Sequence, residues 1–149
     1  MIVPVDQSNI CQAAEVHSVS WQESHRSFCS ADFIALHTPE HQQEYLSEKI
    51  SRGSRVFMLV DGEPAAVVSV TGSLIEDLYI LPEMQNKGYG TELLQFAIAQ
   101  CPDVPTLWIL ENNVNAARLY RRLGFKETGK VNAITDKLAE IEFALESGE

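Results

Sequence analysis

The sequence predicts a mixed α/β fold, and three stretches carry that prediction. Residues 56–81 hold short apolar runs broken by Asp61-Gly62 and Thr71-Gly72-Ser73, the pattern of an antiparallel strand series. Residues 78–98 pass from a strand through Pro82 and a loop with two glycines into an apolar helical stripe at Leu93, Leu94, Ala97 and Ile98. Residues 106–125 then give strand, helix and a capping glycine once more. At 149 residues, 45% apolar and 21% charged, the chain suits one globular domain over 1–149, long enough to bury a core without metals or disulfides.

Residues 2–5 read as a short first strand, and Pro4 implies an edge position. Ser8 or Asn9 can cap a helix from Ile10, whose apolar side runs Ile10, Ala13, Ala14, His17 and Trp21. Residues 21–33 have no clean period; Trp21, His25, Phe28 and Phe33 make an aromatic-rich connection suited to lining a pocket. Thr38-Pro39-Glu40 signals the next helix, with Thr38 as cap, Pro39 in the first turn and Glu40 facing the dipole. That helix runs to Ser51, and Gly53 ends it.

Strands at 56–60 and 65–70 flank the hairpin signal Asp61-Gly62-Glu63-Pro64, and 74–81 returns as a third antiparallel strand. Cys101-Pro102 stops the helix that follows the glycine loop. Residues 106–110 form a compact apolar strand, parallel to 74–81 because a helical crossover joins them. A helix over 113–123 ends at Gly124. Phe125 opens another strand, and Ala139, Ile141, Phe143 and Leu145 alternate with Glu140, Glu142 and Glu146 in a half-buried last strand.

Composition narrows the function. A net charge of −10 argues against general nucleic-acid binding and is compatible with cationic substrates. No apolar run reaches membrane length, so no membrane partner is expected. Cys11, Cys29 and Cys101 are an odd count without close spacing, which points to a reducing, cytoplasmic setting. His37 and His41 are four apart, but Pro39 between them spoils a shared helical face, and zinc needs three or four ligands; no metal is expected.

A strand, a glycine loop and a helix in that order make an anion cradle: the glycines let backbone come close, and the first amides of the helix point outward. The loop is neither a Walker A loop nor a dinucleotide fingerprint, since Leu93 stands where a third glycine would be needed. Gln85-x-x-Gly88-x-Gly90 instead resembles the pyrophosphate loop of the GNAT superfamily of acetyl-CoA-dependent N-acetyltransferases. Downstream, Asn113, Ala116, Tyr120, Gly124 and Phe125 occupy the places of that superfamily's second signature.

The resemblance implies a central, mostly antiparallel mixed sheet of about six to seven strands with about four helices. Two splayed parallel strands would admit the cofactor. It places acetyl-CoA against the backbone of Leu78, Tyr79 and Ile80, with the Ile80 N–H polarising the thioester carbonyl. The loop Gln85, Asn86, Lys87, Gly88, Tyr89, Gly90 and Thr91 would hold the pyrophosphate, with Asn113, Ala116 and Tyr120 beside the cofactor arm. Tyr120 alone reads as core with a satisfied hydroxyl. The resemblance makes it the acid that protonates the departing thiolate, a phenol of pKa about 10 against a thiol of about 8.5.

Glu76 and Asp77 directly precede Leu78. Strand alternation puts Glu76 on the side of Leu78 and Ile80, and Asp77 on the other. The run 75–80 is similar to that of polyamine acetyltransferases of the superfamily, so Glu76 is a candidate base or cation binder, through a water if need be. Trp21, His25 and Phe28 are candidates for the acceptor pocket. The expected reaction is direct attack of an amine in a ternary complex, on a small cationic amine or on a protein amine. An acyl-CoA sensor or inactive homologue is the alternative, and a homodimer through an edge or final strand would coexist with either. Residues 21–33 and 130–137, which would specify the acceptor, carry no readable motif.

Overall fold

A computed structural model of the chain describes residues 1–136 and 138–146; Lys137, the end of the 130–137 segment, lies outside them. Seven strands make one sheet: β1 (Ile2–Pro4), β2 (Arg55–Asp61), β3 (Glu63–Thr71), β4 (Leu74–Ile80), β5 (Thr106–Leu110), β6 (Phe125–Thr135) and β7 (Leu138–Leu145). Their order across the sheet is β1-β2-β3-β4-β5-β7-β6. Every pairing is antiparallel except β4 with β5.

Five α-helices accompany the sheet: α1 (Ile10–His25), α2 (Ala31–Ala35), α3 (Pro39–Ser51), α4 (Tyr89–Gln100) and α5 (Val114–Arg122). One core cluster joins Leu93, Leu94 and Ala97 of α4 and Ala117 and Tyr120 of α5 to Phe57, Val68, Ile75, Leu107 and Phe143 of the sheet. The other joins Ala13, Ala14 and Val16 of α1 and Leu46 of α3 to Val56, Met58 and Val67. Alternation along β2 explains the division, since Phe57 and Leu59 face one cluster while Val56 and Met58 face the other.

Local chemistry sets the ends. The Thr38 hydroxyl accepts the His41 N–H at 3.1 Å, the expected cap of α3. α1 starts at Ile10 without a side-chain cap, because Asn9 turns back: its Oδ1 accepts the Asp6 N–H and its Nδ2 donates to the Pro4 carbonyl. α1 also runs past Trp21 to His25 and α2 starts at Ala31, so only residues 26–30 of the expected irregular connection lie outside a helix.

The β4–β5 ladder holds for only two residue pairs, Leu74 with Thr106 and Ile75 with Leu107. Beyond them the parallel strands part, and the gap between them is the mouth of the cleft.

Candidate active site

β4 reaches the gap through a bulge. Its register with β3 shifts between Val67, opposite Tyr79, and Ser69, opposite Glu76, and Asp77 takes a left-handed φ of 55°. The extra residue resets the alternation. Leu78 and Ile80 pack with the α4–α5 core, while Glu76 and Asp77 both meet Lys49 of α3. Glu76 therefore does not share the face of Leu78 and Ile80; the bulge overturns that expectation.

Lys49 Nζ donates to Glu76 Oε1 at 2.8 Å and to Asp77 Oδ2 at 3.0 Å. Asp77 also accepts from the Tyr45 hydroxyl at 3.0 Å and the Ser69 hydroxyl at 3.1 Å. His17, 1% exposed, completes the group. The Gln42 amide donates to its Nδ1 at 2.6 Å, which leaves the Nε2 proton facing Asp77 Oδ1 at 3.4 Å. Burial by itself would raise the Asp77 carboxyl, but the His17 hydrogen bond and the Lys49 ammonium outweigh it and hold it well below the usual carboxylate range. Burial works against the Lys49 charge too, and Asp77 and Glu76 more than offset it, keeping the ammonium above its usual range. Burial and Asp77 push the Tyr45 phenol up to about 12.

Gly88, at φ 84°, is the N-cap of α4, and a Cβ there would meet open space. A Cβ on Gly90 would stand 3.3 Å from Ile80 Cδ1 and 3.5 Å from Leu119 Cδ2, so this glycine lets α4 close on β4 and α5. The amides of the first turn of α4 have no intrahelical acceptor and face the open side of Gly88. The Leu81 N–H bonds the Ala65 carbonyl, so antiparallel alternation turns the N–H of Ile80 away from β3 toward the gap. Room at Gly88, free amides and an unpaired strand edge fit a diphosphate-bearing thioester.

Tyr120, 7% exposed, lines the same cleft from α5. Its ring meets Phe125 and Phe143, and no hydrogen bond engages its hydroxyl among the described residues. Burial pushes its phenol up to about 12, so the proton stays on oxygen throughout the neutral range.

Other expected residues divide. Glu76, Asp77, Leu78, Tyr79, Ile80, Gln85, Asn86, Gly88, Tyr89, Gly90, Thr91, Asn113, Ala116, His25 and Phe28 all line the cleft. Asn113 spends its Oδ1 on the Ala116 N–H at 3.1 Å, capping α5. The Tyr79 ring turns to the α1 face, its centroid 4.9 Å from that of His17. The Lys87 ammonium reaches only Met84 Sδ, outside the cleft lining. Trp21 also stands behind the lining, its ring stacked between His25 at 4.0 Å and His37 at 3.5 Å.

Sequence reasoning passed over several groups. Ser20 lines the cleft, and its hydroxyl is buried with no hydrogen-bond partner among the described residues. Arg118 and Arg122, one helical turn apart, line it beside Thr91, and neither pairs with a carboxylate among the described residues. Unpaired arginines at that spacing in a chain of net charge −10 were the available signal.

The model of the acetyltransferase (GNAT) family matches residues 14–125. The chain belongs to that family. It is 32% identical over 100 residues to the peptidyl-lysine N-acetyltransferase YjaB of Salmonella typhimurium, a match covering 66% of this chain and 68% of that protein. Its fold is that of the PaiA N-acetyltransferase of Thermoplasma acidophilum, solved with coenzyme A, at TM-score 0.69 and 18% identity over 95% of this chain and 96% of that one. It is likewise that of YncA from Salmonella typhimurium, solved with acetyl-CoA, at TM-score 0.69 and 18% identity over 100% and 94%. The mixed sheet with its parallel pair, and the acetyltransferase class expected from the two motifs, stand; five α-helices are present among the described residues, near the expected count of about four.

Proposed function

We propose that the chain, as one domain, transfers an acetyl group from acetyl-CoA directly to a primary amine. The observation that carries this reading is the gap where β4 leaves β5: it opens on the Gly88–Gly90 cradle at one end and on the Tyr120 hydroxyl at its side. When bound, the thioester supplies an activated acetyl group. The Gly88 loop and the first turn of α4 would hold its diphosphate, and Arg118 and Arg122 would add charge there. The Ile80 N–H would donate to the acetyl carbonyl oxygen, where negative charge develops. Tyr120 would deliver its proton to sulfur as the C–S bond breaks. Its raised pKa makes that transfer uphill in isolation, so it must accompany cleavage.

The acceptor we favour is the side-chain amine of a lysine in a peptide, as the name of the Salmonella relative states for that protein. A small cationic amine is the second reading, favoured by Glu23, Glu76, Asp77 and Glu140 in the cleft lining. Lys49 weighs against it by neutralising the middle pair. Incubation with acetyl-CoA, lysine peptides and a panel of small amines, read by mass spectrometry, tests both. An acetylated peptide supports the first reading and an acetylated small amine the second. Acetyl-CoA bound with no product would leave an acyl-CoA sensor.

A further inference from the structure

With Glu76 and Asp77 committed to Lys49, the cleft needs another base, and the end of α1 presents one. His25 Nδ1 lies 2.8 Å from the Trp21 carbonyl oxygen. A carbonyl only accepts, so Nδ1 carries the ring proton and Nε2 the lone pair. The Ser24 hydroxyl, itself donating to the Trp21 carbonyl at 3.0 Å, lies 2.8 Å from the same Nδ1. The ring plane is set as well: it stacks on Trp21 at 4.0 Å and 11°, with Phe28 tilted against it at 5.2 Å. His25 lines the cleft, and its Nε2 makes no hydrogen bond among the described residues.

We infer that His25 Nε2 is the base that takes the proton from the acceptor amine. This rests on the acetyltransferase reading above. The amine attacks in its neutral form. As its nitrogen forms the C–N bond to the acetyl carbon, the N–H becomes acidic, and Nε2 takes that proton. The C–S bond breaks with its electron pair on sulfur, which Tyr120 protonates. The imidazolium proton, carried by solvent, restores the Tyr120 phenol, leaving an amide and a thiol.

The surroundings keep the base available. Burial, with His37 and His17 nearby, lowers the His25 pKa below its ordinary value and leaves the ring neutral at pH 7. Glu23 and Arg26, its neighbours on the chain, pair with each other at 2.7 Å. His37 faces it across Trp21, and Glu76 and Asp77, lining the same cleft, are held by Lys49.

Two measurements on the whole protein test this. Imidazole 15N shifts of the wild type should show the Nδ1–H tautomer, titrating below about 6.5; an Nε2–H tautomer overturns the inference without any assay. With acetyl-CoA and a lysine peptide, His25→Gln should lower kcat about 100-fold and remove the acid limb of its pH profile. Acetyl-CoA affinity by calorimetry should not change. His25→Ala should regain activity with added imidazole. A His25→Gln enzyme within threefold of an active wild type, with the acid limb intact, removes His25 and leaves the acetyltransferase reading standing. A wild type that acetylates no amine removes both.

Discussion

Lys49 Nζ bridges two carboxylates adjacent in sequence, 2.8 Å from Glu76 and 3.0 Å from Asp77, because the β4 bulge sends both acids to one face of the sheet. Lys49 and Asp77 side chains are each only 14% exposed. Removing the cation strands a largely buried negative charge, so Lys49→Met should cost about 3 kcal/mol of stability. Urea unfolding checks it, and a loss under about 0.5 kcal/mol would mean that solvent carries the acids unaided.

The same group fixes the acid limb of stability. The folded pKa of Asp77 is depressed, so its contribution is present above the unfolded value of about 3.9 and drains away as pH falls from there toward the folded value. Asp77→Asn should be less stable than wild type at neutral pH and should flatten the pH dependence below about 4. Parallel acid limbs in the two proteins would show that other carboxylates govern acid unfolding.

Tyr120→Phe separates chemistry from packing. The hydroxyl has no hydrogen-bond partner among the described residues, while the ring packs on Phe125 and Phe143. Stability should stay within about 0.5 kcal/mol, acetyl-CoA affinity should hold, and kcat should fall about 100-fold. An equal loss of affinity and turnover would make Tyr120 a structural residue.

Gly88 and Gly90 should fail differently. Gly88→Val places a branched side chain at φ 84° in the open cradle, which strains the backbone and blocks the diphosphate; calorimetry should detect no acetyl-CoA binding. Gly90→Ala brings a methyl to 3.3 Å from Ile80 Cδ1, so it should lower Tm first and binding second. Unchanged affinity in the Gly88 variant would remove the cradle from the site.

Ser20 offers a cheap check on the acceptor end. Its buried hydroxyl has no partner among the described residues, so Ser20→Ala should be neutral or stabilising by up to about 1 kcal/mol. If the acceptor uses that hydroxyl, its KM rises while the acetyl-CoA KM stays put.

Legibility followed the range of the forces. The Thr38 cap, the Gly88 turn and the Gly124 stop depend on a few adjacent residues, and each could be read from the chain. Asp77 could not. A bulge arises from how β4 pairs with β3, so a single strand read in isolation gave the alternation that places Glu76 on the wrong face. Lys49 was missed for a related reason: it is an ordinary polar position on α3, and only the tertiary fold brings it to acids 27 and 28 residues away. Trp21 and His25 are legible as aromatics, and the run between them holds no glycine or proline to stop α1; helical spacing of four is what stacks the two rings.

The Trp21 sandwich has an optical corollary. An indole in face-to-face contact with imidazole loses its emission when the imidazole gains a proton, because the cation accepts an excited electron. Trp21 lies between two such rings at 4.0 and 3.5 Å, and the only other tryptophan, Trp108, lines the cleft from β5. With Trp108 replaced by Phe, the fluorescence of this chain becomes a direct gauge of the charge on His25 and His37, readable without label, ligand or assay.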